Sequence, residues 1–250
     1  MAKPEWLYGI HTVSAVLKKF PERVLELNLQ EGRDDERLQK VLELASPLGI
    51  KCQRVNKKNL DQLVEGNHQG VAARCRLAQP RDEDALQDLL ARLDGPPLLL
   101  VLDTVTDPHN LGAVLRSAEA AGVDGVITTK DKSVGLTPVV RRVAVGAAEL
   151  IPLFQVTNLA RCLEALKAAR IWVLGTELDE RASSLYQADL KGPLALVMGA
   201  EGTGLRRLTR EHCDQLVYIP MVGDIQSLNV SVATGVCLFE ALRQRSTDSA

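Results

Sequence analysis

Five short apolar runs punctuate the later part of this chain, at 98–102, 125–128, 171–174, 194–198 and 216–219. None alternates cleanly between apolar and polar residues, so each strand would need cover on both faces. Stretches of helical periodicity separate most of them, at 111–121, 139–148, 158–169 and 207–212. Strands that are apolar on both faces and joined through helices predict a parallel sheet with helical layers, an α/β fold. In such a sheet a ligand sits outside the carboxyl ends of the strands. Four turns fall there: "DTVTDPHNLG" after Leu102, "GTELDE" after Leu174, "GAEGTG" after Met198 and "PMVGDIQSLN" after Ile219.

The front of the chain is a smaller α/β unit. The pattern predicts helices at 9–20, 34–44 and 57–63, and strands at 24–29, 50–55 and 71–77. Leu38, Val41, Leu42 and Ala45 share one side of the second helix. An acidic stretch that ends in Gly95-Pro96-Pro97 reads as a connector, with a short helix suggested by Leu86, Leu89, Leu90 and Leu93. The expected organisation is therefore a domain at 1–76, a linker at 77–97 and a second domain at 98–250. A last helix at 228–243 is nearly all apolar through Phe239. Val232, Val236 and Phe239 are expected to form a buried stripe on it.

Hydrophobic residues make up 46% of the 250, enough for a packed core. No run approaches the length of a membrane span, and "MAKPEWLYGIHTV" lacks an apolar signal segment. Five scattered cysteines (Cys52, Cys75, Cys162, Cys213, Cys237), with no C-x-x-C pair, point to reduced cytosolic thiols buried as small hydrophobes. His11, His68, His109 and His212 have no metal-ligand spacing, so no metal site is expected. The net charge of -2 carries no global nucleic-acid signal. Residues 1–76 hold 13 basic and 10 acidic side chains, a small excess compatible with RNA.

Within the four turns a few residues stand out. Asp107 or Asn110 suits a helix N-cap, with Pro108 in the first turn. Arg116 lies opposite the face shared by Leu111, Leu115 and Ala118. It is either a solvated charge or a ligand for an anionic substrate. Glu201 sits among Gly199, Gly202 and Gly204, where it is solvated or orients a hydroxyl. Ser227 and Asn229 open the last helix, with Ser227 a suitable N-cap. The turn is neither a phosphate loop nor a dinucleotide fingerprint, because G-x-x-x-x-G-K-[ST] and G-x-G-x-x-G are both absent.

Taken together, these motifs resemble the SpoU-type branch of the SPOUT ribose 2′-O-methyltransferases. The first motif is matched by Asn110 and Arg116 in "DPHNLGAVLRSAEAAG", the second by Glu201 in "LVMGAEGTGL", and the third by Ser227, Leu228 and Asn229 in "IPMVGDIQSLNVSVA". The chain departs from many relatives at Ala200, where they carry Asn. In the front domain "LYGIHTVSAVL" and "NHQGVAARC" resemble the small substrate-binding domain, related to the ribosomal protein L30e fold, of the bacterial 23S rRNA guanosine 2′-O-methyltransferases.

The resemblance implies a carboxyl-terminal trefoil knot, S-adenosylmethionine as cofactor and a homodimer paired through the knot region. It also implies methylation of a guanosine ribose in the peptidyl-transferase region of 23S rRNA, on free rRNA or a ribosome precursor, in the cytoplasm, with no membrane or DNA partner. By the same resemblance Asn110, Arg116, Glu201, Ser227 and Asn229 form the catalytic set, and Thr176, Gly199, Ile219 and Leu228 hold the cofactor. A guanidinium has a pKa above ~12, so Arg116 either holds a substrate phosphate that takes the proton or has its pKa lowered by a neighbouring guanidinium. The alternatives are the same chemistry on tRNA or another rRNA nucleotide, and a non-catalytic RNA-binding protein of the L30e type. A dinucleotide-dependent oxidoreductase is disfavoured by the missing glycine fingerprint.

Overall fold

The computed structural model describes residues 4–33, 35–200, 202–224 and 227–246. The chain forms two compact units. One runs to Gln79 and takes in Val145–Leu150; the other comprises Pro80–Ala144 and the chain from Ile151 onward.

The first unit is built from β1 (Glu5–Tyr8), α1 (Ile10–Lys19), β2 (Val24–Gln30), α2 (Glu36–Ala45), β3 (Lys51–Val55), α3 (Lys57–Leu63) and β4 (Val71–Cys75). Its four-stranded sheet has the order β1-β4-β2-β3. β4 is antiparallel to both neighbours, and β3 runs parallel to β2 at the edge. α2 starts where the Asp35 carboxylate accepts from the backbone N–H groups of Arg37 and Leu38. Its buried Leu38, Val41 and Ala45 meet Val13, Val16 and Leu17 of α1 over Leu27 and Leu29.

The second unit follows the chain order α4 (Glu83–Leu90), β5 (Leu98–Leu102), α5 (Pro108–Ala120), β6 (Gly125–Thr129) and α6 (Pro138–Ala144). The next helix, α7 (Ala147–Leu150), belongs to the first unit. The chain then continues through β7 (Leu153–Val156), α8 (Leu159–Ala168), β8 (Trp172–Thr176), β9 (Ser183–Ser184), β10 (Leu194–Met198), α9 (Arg207–His212), β11 (Gln215–Tyr218) and α10 (Val230–Ser246). Seven strands form one sheet in the order β7-β6-β5-β10-β8-β11-β9, and every pairing in it is parallel. All five residues of β5, of β6 and of β10 are buried, as strands covered on both faces require.

Several details depart from the sequence reading. The helix expected over 139–148 stops at Ala144. Val145 (φ 49°) and Gly146 (φ 91°) then reverse the chain in the left-handed region. The Glu149 carboxylate of α7 is 3% exposed and accepts from the backbone N–H of Ala78 at 2.6 Å, and the Glu149 carbonyl accepts from Arg23 at 3.2 Å. Residues 81–90 pack into the second unit. Arg81 pairs with Phe154 beside β7 in parallel register, and Leu86 is buried in the same core as Phe154.

Of the stripe expected to be buried on the last helix, Val232 and Phe239 face outward, 52% and 50% exposed, and Val236 is partly buried. α10 buries the other side instead, through Val230, Thr234, Cys237, Leu238 and Ala241. Cys52 is exposed, whereas burial pushes Cys75, Cys162 and Cys237 up to about 12. No described helix is long and apolar enough to cross a membrane.

The position of α5 depends on a glycine. A Cβ on Gly112 would lie 2.6 Å from the Val143 Cβ and 2.8 Å from the Val140 carbonyl oxygen of α6. Gly112→Ala is therefore expected to destabilise the protein by about 1–3 kcal/mol through overpacking, measured by urea unfolding.

Candidate active site

Parallel pairing brings several chain segments to one rim. Met198 at the end of β10 stands opposite Leu102 of β5 and Thr176 of β8, and Thr176 stands opposite Val217 of β11. The residues that follow these strand ends, Asp103, Glu177, Gly199 and Ile219, therefore share the carboxyl edge of the sheet. Thr176, Gly199 and Ile219 fall together here. The Thr176 hydroxyl donates to the Val197 carbonyl at 3.1 Å, which fastens β8 to β10 at their ends.

The glycine-rich turn has an internal reason for its glycines. Ala200 and Gly204 exchange both backbone hydrogen bonds, at 3.1 and 3.0 Å, closing a tight loop. A Cβ on Gly199 would fall 2.3 Å from the Gly204 carbonyl carbon, and Gly202 and Gly204 have φ of 79° and 66°. Only residues without side chains close this turn at those positions. Glu201 lies outside the described residues.

Two carboxylates that sequence reasoning passed over hold the turn in place. Asp103 is fully buried at the end of β5. Its Oδ2 accepts from the backbone N–H of Arg206 at 3.0 Å and its Oδ1 from Arg206 Nε at 2.5 Å. The Asp103 N–H donates to the Met198 carbonyl at 2.9 Å, so one residue ties both sides of the turn. Glu177 Oε1 accepts from Arg210 Nη2 at 2.7 Å and sits 3.1 Å from where a Gly204 Cβ would be. For Asp103 the available signal was a lone acid directly after an all-apolar strand, which only a distant cation can satisfy.

At the start of α5 the capping ambiguity resolves. Asp107 is the N-cap, accepting from the His109 N–H at 2.9 Å, with Pro108 in the first turn. Asn110 is released from that task, and its Oδ1 accepts from Asn229 Nδ2 at 3.0 Å across 119 residues. Asn110 is 7% exposed, whereas Asn229 is exposed. The Asn229 Oδ1 in turn accepts from the Ser231 N–H at 2.9 Å and the Ser231 hydroxyl at 2.6 Å. Asn229, immediately before α10, thus takes the capping role expected of Ser227.

Ser227 is exposed and makes no hydrogen bond to these residues among those described. Arg116 lies on the same helix as Asn110, exposed and without a partner among the described residues. Leu228 is 39% exposed, close in sequence to exposed Met221 and Val222.

Turns at three adjacent strand ends, one of them closed by glycine backbone, suit a nucleoside-bearing cofactor. A family model fits this arrangement: the SpoU rRNA Methylase family matches residues 97–239. The chain belongs to that family. A second model, for RNA 2′-O ribose methyltransferase substrate binding, matches residues 6–81. The 23S rRNA (guanosine-2'-O-)-methyltransferase RlmB of Pseudomonas syringae pv. tomato is 57% identical over 246 residues, covering 98% of each chain. That of Pasteurella multocida is 58% identical over 243 residues, covering 96% of this chain and 98% of its own. The crystal structure of the SpoU methyltransferase AviRb from Streptomyces viridochromogenes with AdoMet shares the fold. Its TM-score is 0.75 at 24% identity, over 97% of this chain and 90% of the other. The parallel α/β sheet and the smaller domain before it agree with the family fold.

Asp103 is the residue on which the glycine turn depends. Asp103→Asn removes the charge from a buried carboxylate that is paired with half-exposed Arg206 and is expected to cost about 1.5–3 kcal/mol in stability, read by urea unfolding.

Proposed function

We propose that this chain transfers a methyl group from S-adenosylmethionine to the ribose 2′-hydroxyl of a guanosine in 23S rRNA, in the peptidyl-transferase region. The observation that carries this reading is full-length identity of 57% to curated enzymes of that activity, in a chain whose rim brings Asn110 and Asn229 together. When bound, the cofactor supplies a methyl group made electrophilic by its sulfonium. The turns after β8, β10 and β11, with Thr176, Gly199, Ile219 and Leu228, are the residues that would hold it. In this reading the segment from β10 to α10 is threaded as a trefoil knot, and the rRNA substrate places the enzyme in the cytoplasm.

The chain's own tasks are to hold the ribose in line and to move one proton. Burial separates the roles of the two asparagines. Asn110 is a positioning residue that fixes the amide of Asn229, and exposed Asn229 faces the sugar. Arg116 is an exposed cation with no partner among the described residues, as a ligand for a substrate phosphate would be. Its fork of donors would hold the phosphate bidentately, and the phosphate would take the 2′-hydroxyl proton while the methyl's carbon–sulfur bond breaks and a neutral thioether leaves. Glu201 and Ser227 complete the proposed set from the motif match.

The front unit docks rRNA, and its edge strand β3 with α3 carries Lys51, Arg54, Lys57 and Lys58 on an exposed margin. The outward apolar stripe of α10 pairs two copies of the chain, covering Val232 and Phe239 against water.

Three measurements test these statements. Labelled S-adenosylmethionine, incubated with 23S rRNA, 16S rRNA and tRNA in parallel, is expected to yield 2′-O-methylguanosine in 23S rRNA alone. Arg116→Lys keeps RNA binding but lowers turnover about 10²-fold; near-normal turnover in that variant refutes the role given to Arg116. Phe239→Glu places a charge in the stripe and is expected to give a monomer by sedimentation velocity, where the unaltered chain sediments as a dimer.

A further inference from the structure

Away from the rim residues discussed above, a surface cavity of about 430 Å³ opens at the far edge of the same sheet. It is lined by Pro80, Arg81, Asp82, Ala85, Lys130 and Gln155. The edge is built by an unusual addition to the sheet. The Arg81 N–H donates to the Leu153 carbonyl and the Arg81 carbonyl accepts from the Gln155 N–H, both at 2.8 Å. Arg81 is thereby fixed by its backbone, and its side chain is left to the cavity. Lys130 directly follows β6, held by its N–H to the Val156 carbonyl at 2.9 Å. The loop it begins is ordered by Thr129, whose hydroxyl meets the Asp131 carbonyl and the Ser133 hydroxyl, each at 2.7 Å.

The charges of the cavity do not balance internally. Arg81 and Lys130 are both exposed, and neither has an ion-pair or side-chain hydrogen-bond partner among the described residues. The one acid in the lining, Asp82, is engaged as the N-cap of α4, its Oδ1 accepting from the Ala85 N–H at 3.0 Å. Elsewhere in this unit many cations are matched: Arg206 with Asp103, Arg210 with Glu177, Lys167 with Asp214, Arg161 with Glu83. Two unmatched cations on rigid backbone, beside an amide that can donate, form a receptor for an anion with several acceptor oxygens.

We propose that this cavity is a docking site for a backbone phosphate of the rRNA substrate, gripped by Arg81 and Lys130 at the β6–β7 edge of the sheet. The inference rests on the rRNA reading given above. The cavity lies on the flank of a sheet whose carboxyl rim carries Asn110, in the first turn of α5. A strand of RNA presented to that rim would meet the cavity as a contact that fixes register without reading sequence. Phosphate contacts of this kind contribute affinity with a characteristic salt dependence, about 0.7 in the slope of log K against log salt per phosphate on single strands.

The test compares the full-length protein with Arg81→Ala/Lys130→Ala and with Arg92→Glu, which removes the same net charge from an exposed site outside the cavity. Binding of in vitro transcribed 23S rRNA is followed by filter retention across a salt series, S-adenosylmethionine binding by calorimetry, and methylation by label incorporation. The double variant is expected to bind S-adenosylmethionine normally and turn over at the wild-type kcat. Its KM for rRNA should rise about tenfold, and its salt slope should fall by about 0.7. Arg92→Glu is expected to match the wild type in every readout. A double variant with wild-type KM and slope overturns the proposal, as does an equal loss in Arg92→Glu. If the unaltered protein binds rRNA but methylates none of it, the reading of the reaction fails. The salt series still decides the cavity.

Discussion

β10 enters the sheet between β5 and β8, although β5 lies far earlier in the chain, and the second unit depends on that placement. Leu194–Met198 pairs residue for residue with Leu98–Leu102 on one side and with Trp172–Thr176 on the other. Because the three strands end level, the residues after them are delivered to a single rim. Burial of the five apolar residues of β10 supplies the driving force, at about 1.5–3 kcal/mol for each large side chain. Register then does the positioning, since a slip of one residue would turn every side chain to the opposite face. Asp103 converts this register into a fixed turn by holding Met198 on one side and Arg206 on the other.

Much of this was legible in the sequence for a simple reason: strands buried on both faces leave unbroken apolar runs, and helices between them leave a different period. The runs at 98–102 and 194–198 became β5 and β10 without adjustment. β7 is four residues with a glutamine inside it, and β9 is two serines, too short and too polar to leave a pattern. The helix expected over 139–148 failed at Val145 because a backbone reversal there needs no change in hydrophobic period. For α10, periodicity gave a stripe but not which of two apolar faces turns inward. That choice is made by α5, which comes more than a hundred residues earlier. The motif residues could be named from resemblance, but the bond from Asn229 to Asn110 joins positions that no local rule connects.

Net charge was silent about nucleic acid because the average hides the arrangement. Most carboxylates near the sheet are committed to particular cations or to helix caps. Among the cations left over are Arg116, Arg81 and Lys130, which are unpaired among the described residues. An acidic protein can thus carry local attraction for phosphate, because Coulomb forces between exposed charges fade beyond about 10 Å at 0.1 M salt.

The excursion of Val145–Leu150 into the first unit bears on how the molecule is made. Most of that unit leaves the ribosome early, with Gln79, but the buried Glu149 that binds the Ala78 N–H is synthesised some seventy residues later. Until then the Ala78 amide and the Arg23 guanidinium lack these native acceptors, and α1 lacks the α7 turn at Thr12. Completion of the first unit therefore waits on translation of β5, α5 and β6. A nascent chain halted before residue 145 holds a front unit short of its last helix.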